Sequence, residues 1–72
     1  MPHITIQMFP GRTQEEKKLM AQDIQMLLWE KYQIEKNVLS VSVQDVPKEK
    51  WNDFIKTVPA DTFFVEPGYE ID

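Results

Sequence analysis

The chain has 72 residues, eight basic against twelve acidic side chains, a net charge of −4, no cysteine and one histidine. That composition excludes disulfides and thiolate metal sites and leaves no zinc constellation. It also argues against a nucleic-acid partner, because phosphate recognition rests on clustered Lys and Arg. One domain over residues 1–72 lies at the small end of what buries a self-sufficient core, so self-association is expected as the remaining support.

No apolar run approaches a membrane span, and the N-terminus lacks the basic-then-apolar pattern of a signal peptide. A cytoplasmic protein with no membrane partner is the expectation.

Residues 3–9, HITIQMF, alternate: Ile4, Ile6 and Met8 point one way, and His3, Thr5 and Gln7 the other. This predicts a half-buried strand. PGRT ends it, since Pro10 lacks the amide a central strand needs and Gly11 tolerates positive φ. Thr13 followed by Glu16 forms a capping box, which satisfies orphaned amides at a helix start. From Gln14 to about Gln33, Met20, Ala21, Ile24, Leu27 and Leu28 recur at helical spacing and predict a buried stripe. Leu19, Met26 and Trp29 fall on roughly the opposite face, either as scattered surface residues or as a subunit contact.

A second strand is predicted in NVLSVSVQDV, with Leu39, Val41 and Val43 alternating against Ser40, Ser42 and Gln44. Strand, crossover helix and strand make a right-handed βαβ unit with parallel neighbouring strands, in an α+β fold. Two strands alone leave open edges and a polar sheet face, so the sheet is expected to be completed by oligomerisation. After Pro47, KEKWNDFIKTV predicts one or two helical turns, and TFFV resembles a short strand before EPGY.

No cysteine nucleophile, Ser/His/Asp spacing, glycine-rich phosphate loop or helical pair of metal ligands is present, and no cofactor is called for. The N-terminal dozen residues remain. Initiator methionine is commonly removed when the next residue is small, which would expose Pro2 as a free secondary amine. Burial and a nearby cation both lower the pKa of such an amine, which then accepts a proton from carbon or attacks a carbonyl. Arg12, the sole arginine, is either an exposed loop residue or an anion anchor. An extended strand holds it well away from Pro2, so the two meet only across a subunit interface or through a substrate that spans them.

Taken together, MPHITIQMFPGRT, the acidic amphipathic helix after it and SVSVQDVPKEKW resemble the 4-oxalocrotonate tautomerase family over nearly the whole chain. The resemblance implies a cofactor-independent isomerase in which Pro2 moves a proton between the ends of an enol or dienol. It also implies that Arg12 binds the substrate carboxylate and that Trp51 forms an aromatic wall. Family members carry a second arginine in the second strand, where this chain has Ser40. A serine donates one neutral hydrogen bond and brings no charge to an enolate. MPHI, the following FP and the late PGY look most like the family's short dimeric bacterial branch, which implies an enol tautomerase of the phenylpyruvate kind.

The expected substrate is therefore a small carboxylate, a 2-hydroxydienoate or a phenylenolpyruvate-like enol, and the expected assembly is a homodimer, with a hexamer as the alternative. Trp51, Phe54, Phe63, Phe64 and Tyr69 are either an apolar pocket for an aromatic substrate or parts of the small core and subunit seam. His3 is either a tuning group for Pro2 or a surface side chain. Two rival readings are a Pro2-dependent dehalogenase or decarboxylase on the same scaffold, and a non-catalytic βαβ interaction module.

Overall fold

The computed structural model describes residues 1–68. Strand β1 (His3–Met8) leads into helix α1 (Gln14–Tyr32), then strand β2 (Ser40–Asp45) and a short helix α2 (Trp51–Ile55), with single 3₁₀ turns at Lys36–Val38, Lys48–Lys50 and Ala60–Thr62. β1 and β2 pair in parallel, with His3 opposite Ser40 and Met8 opposite Asp45. This is the predicted βαβ unit.

The local chemistry explains the element boundaries. Thr13 Oγ1 accepts the Glu16 N–H at 3.1 Å, and Glu16 Oε1 accepts the Thr13 N–H at 2.9 Å, so the capping box is complete. Gln33 ends α1 in the left-handed conformation at φ 53°, its N–H donating to the Trp29 carbonyl at 3.0 Å. Gly11 adopts φ 134°, a backbone conformation other residues rarely tolerate, and so turns the chain from β1 toward α1.

Polar ties fix the start of the helix to the sheet and its middle to the 3₁₀ turn that precedes β2. Lys17 Nζ donates to Asp45 Oδ2 at 2.9 Å, and Gln25 Nε2 donates to the Lys36 carbonyl at 3.3 Å. On the same side Met20, Ala21, Ile24 and Leu28 are half-buried, but Leu27, expected on that stripe, stays exposed with Leu19, Met26 and Trp29. Two strands span only about 5 Å between their axes. A helix on so narrow a sheet can bury only a narrow line of side chains.

The same shortage of cover shows in the core. Leu39 is the single buried hydrophobic among the described residues, and it keeps 8% of its surface exposed. The Cα radius of gyration is 13.9 Å, against about 11 Å for a compact domain of this length. The strand expected at TFFV does not form: Thr62 closes a 3₁₀ turn, and Phe64 and Val65 stand almost fully exposed. A strand needs a partner edge as well as β-prone residues, and here the segment lies between Pro59 and Pro67 with no strand beside it.

Candidate active site

The candidate residues fall into two groups, one at each end of the parallel pair. At the N-terminal end Pro2 is half-buried, Met1 projects fully exposed, and the Pro2 carbonyl accepts the Ser40 N–H at 3.2 Å. The backbone ladder thus sets Ser40 beside Pro2. His3, opposite Ser40, lies with Nδ1 2.6 Å from Ser40 Oγ and Nε2 3.2 Å from Ser42 Oγ. Ser42 in turn donates to Thr5 Oγ1 at 3.3 Å, and Gln7 Nε2 donates to Gln44 Oε1 at 3.2 Å. The predicted polar face of the sheet is a cross-strand ladder of hydroxyl, imidazole and amide groups.

Ser40 has one proton to give. It donates either to His3 or to a ligand oxygen, so a ligand that uses the Ser40 hydroxyl requires His3 to carry its proton on Nδ1. In this way the imidazole governs what Ser40 can do.

At the opposite end Arg12, Glu16 and Trp51 line a cleft of about 570 Å³ together with Gln7, Met8, Phe9, Pro10 and Gly11. The Val46 N–H donates to the Met8 carbonyl at 2.8 Å, which brings the segment after β2 alongside the end of β1. Trp51 consequently stands edge-on to Phe9, with centroids 5.1 Å apart and planes at 87°, and its other neighbour is Phe54 at 5.4 Å. Such edge contacts are favoured by the ring quadrupoles. Phe9 is a wall residue that sequence reasoning missed. Its signal was its place directly before Pro10, where the strand must stop.

Arg12 Nη1 donates to Glu16 Oε2 at 3.3 Å, both side chains being about half exposed. Hydrogen bonds from Thr13, backbone first and side chain second, hold the Glu16 carboxyl below its ordinary range, and the charge of Arg12 adds to this.

Trp51 and Arg12 are thus brought together, and Ser40 and Pro2 are brought together, but the two pairs are separated by the length of β1. At about 3.3 Å per residue, the seven steps from Pro2 to Phe9 span roughly 23 Å. Of the aromatic candidates, Trp51 alone lines the cleft; Phe54 backs it, Phe64 is exposed, and Tyr69 lies outside the described residues. No helix among the described residues is long and apolar enough to cross a membrane.

The sequence model described as "Tautomerase enzyme" matches residues 2–52. The chain is 35% identical to Tautomerase PptA of Pectobacterium atrosepticum, with 96% of this chain and 97% of the relative covered. It is 33% identical, over the same shares, to Tautomerase PptA of Pectobacterium carotovorum subsp. carotovorum. The chain belongs to the tautomerase family, in its PptA-like branch, and its activity is of the isomerase type.

Proposed function

We propose that this chain is a keto–enol tautomerase that uses the amine of Pro2, freed by removal of Met1, as general base and general acid. The observation that carries the reading is the position of Pro2: it heads β1 beside Ser40, behind a methionine with nothing packed on it. The neutral amine takes the hydroxyl proton of an enol carboxylate as the C=O bond forms. The electron pair of the C=C bond then takes the proton back from the ammonium at carbon. One group carries the proton between the two atoms, so the step needs no cofactor.

Arg12 holds the substrate carboxylate by charge-assisted hydrogen bonds, and Trp51 with Phe9 supplies apolar wall. Ser40 donates one hydrogen bond where the family's second arginine supplies a charge. Because β1 carries the chain roughly 23 Å from Pro2 to Phe9 before it turns to Arg12, one chain cannot place both on a small substrate. Two copies related by a twofold axis bring the Pro2 end of one chain to the Arg12 end of the other. A homodimer is the proposed assembly, and it also covers the exposed Leu19, Met26, Leu27 and Trp29. The substrates proposed are phenylenolpyruvate-like or 2-hydroxydienoate carboxylates.

Ketonisation of phenylenolpyruvate and of 2-hydroxypenta-2,4-dienoate, both monocarboxylates, followed spectroscopically, tests this reading. Pro2→Ala should lower kcat by about 10² or more, the usual scale of a lost general base. Intact mass should show Met1 absent in the active protein. Unchanged turnover with native circular dichroism, or full activity with Met1 retained, would refute the mechanism.

A further inference from the structure

We propose that Glu16 is a specificity-determining residue which restricts the Arg12 cleft to carboxylates of single charge. The inference rests on Arg12 being the carboxylate anchor of the proposed function.

Glu16 is not a free surface acid. Oε1 accepts the Thr13 N–H at 2.9 Å, the Glu16 N–H donates to Thr13 Oγ1 at 3.1 Å, and Oε2 accepts from Arg12 Nη1 at 3.3 Å. One carboxylate therefore caps α1 and holds the cleft's arginine. It cannot swing away from Arg12 without uncapping the helix. Its carboxyl is held below the ordinary range, which keeps it anionic through neutral pH.

Charge in the cleft follows directly. Arg12 and Glu16 are the charged residues in its lining and they cancel, the remaining lining residues being Gln7, Met8, Phe9, Pro10, Gly11 and Trp51. Lys17, one residue further along α1, is committed to Asp45 at 2.9 Å. A guanidinium has five N–H donors and Glu16 engages one nitrogen, so a first carboxylate still finds a charged donor pair. A second carboxylate on the same ligand meets Glu16 and no second cation from this chain's cleft. Ser40, in the place of the family's second arginine, brings no charge to offset it.

Glu16→Gln separates the two roles, because Gln at this position also closes a capping box while removing the charge. The experiment titrates wild type and E16Q with hexanoate and adipate, unreactive ligands of equal chain length and unequal charge. Binding is read from the indole N–H resonance of Trp51, with Trp29, outside this cleft, as the control. In wild type hexanoate should bind more tightly than adipate. E16Q should tighten adipate about fivefold more than hexanoate, the order of a solvent-screened repulsion between charges a few ångströms apart. The gain should shrink in high salt.

Equal tightening of both ligands, or adipate binding better than hexanoate in wild type, would overturn the proposal. The wild-type comparison stands even if E16Q loses helix. Binding is read without turnover, so an inactive protein that still discriminates by charge counts against the tautomerase mechanism alone. An active one that does not discriminate counts against Glu16 alone.

Discussion

The Ser40 hydroxyl lies 2.6 Å from Nδ1 of His3, and the N–H of the same serine donates to the carbonyl of Pro2, the residue before His3, at 3.2 Å. Three neighbouring groups on the sheet are thereby linked: the proposed base, the imidazole and the hydroxyl proposed to stand in for the family's second arginine. The contribution of Ser40 to the reaction should be that of one neutral hydrogen bond. Ser40→Ala is expected to lower kcat/KM by about fivefold, equivalent to ~1 kcal/mol. Ser40→Arg should move the pH–rate profile toward lower pH, because a cation beside Pro2 disfavours its ammonium form. An unshifted profile in Ser40→Arg would remove Ser40 from the site.

In the proposed mechanism Arg12 acts on the ground state and the transition state alike, since the carboxylate it would hold does not react. Arg12→Ala should therefore raise KM for carboxylate substrates with kcat largely retained, a loss of about 1.5–3 kcal/mol in kcat/KM. Steady-state kinetics on phenylenolpyruvate give the split. Normal KM in this variant would make Arg12 an ordinary surface residue paired with Glu16.

Assembly should be required for activity. With Leu39 the one buried hydrophobic among the described residues and an apolar face left open on α1, the isolated chain has little to hold it together. Sedimentation at micromolar concentration should find no dominant monomer. Met26→Lys, on the exposed face of α1, should shift the population toward monomer and lower activity in parallel. An active monomer would contradict the shared site.

Much of this arrangement was readable from the chain, and the reasons are local. The alternation in HITIQM and SVSVQD, and the Thr13–Glu16 box, depend on neighbours within a turn or a pleat, so sequence spacing captures them. The misreadings share a different origin. Leu27 satisfies helical spacing, but only the width of the sheet decides whether its side chain is covered. TFFV has strand-forming side chains, and the missing ingredient is a partner edge. The Phe9–Trp51 contact joins residues far apart in sequence and arises only when β1 and β2 end together. The Arg12–Glu16 pair, by contrast, joins residues four apart across the helix start, Arg12 lying just before the Thr13 cap, and was available to sequence reasoning.

The capping carboxylate gives a stability signature in pH. Because the folded state holds the Glu16 carboxyl below its ordinary range, the stabilisation is fully present above the unfolded value. It is lost as pH falls through the folded one. The thermal midpoint of wild type minus that of E16Q should accordingly be constant from neutral pH down to the ordinary carboxylate range and then decline in more acidic solution. A difference that stays constant throughout would mean that the charge of Glu16 does not contribute to the cap.

The central claim is that the amine of Pro2 is the base, and its own titration tests that claim most directly. ¹⁵N-labelled Pro2 is titrated by NMR in the active assembly, and kcat/KM for phenylenolpyruvate is measured over the same pH range. The account predicts that kcat/KM climbs as the Pro2 ammonium loses its proton, with both curves sharing one inflection below that of an ordinary proline amine, because apolar cover and the partner's Arg12 both penalise the cation. A rate that stays flat while Pro2 changes charge, or an amine that titrates as it does in a short peptide, would contradict it.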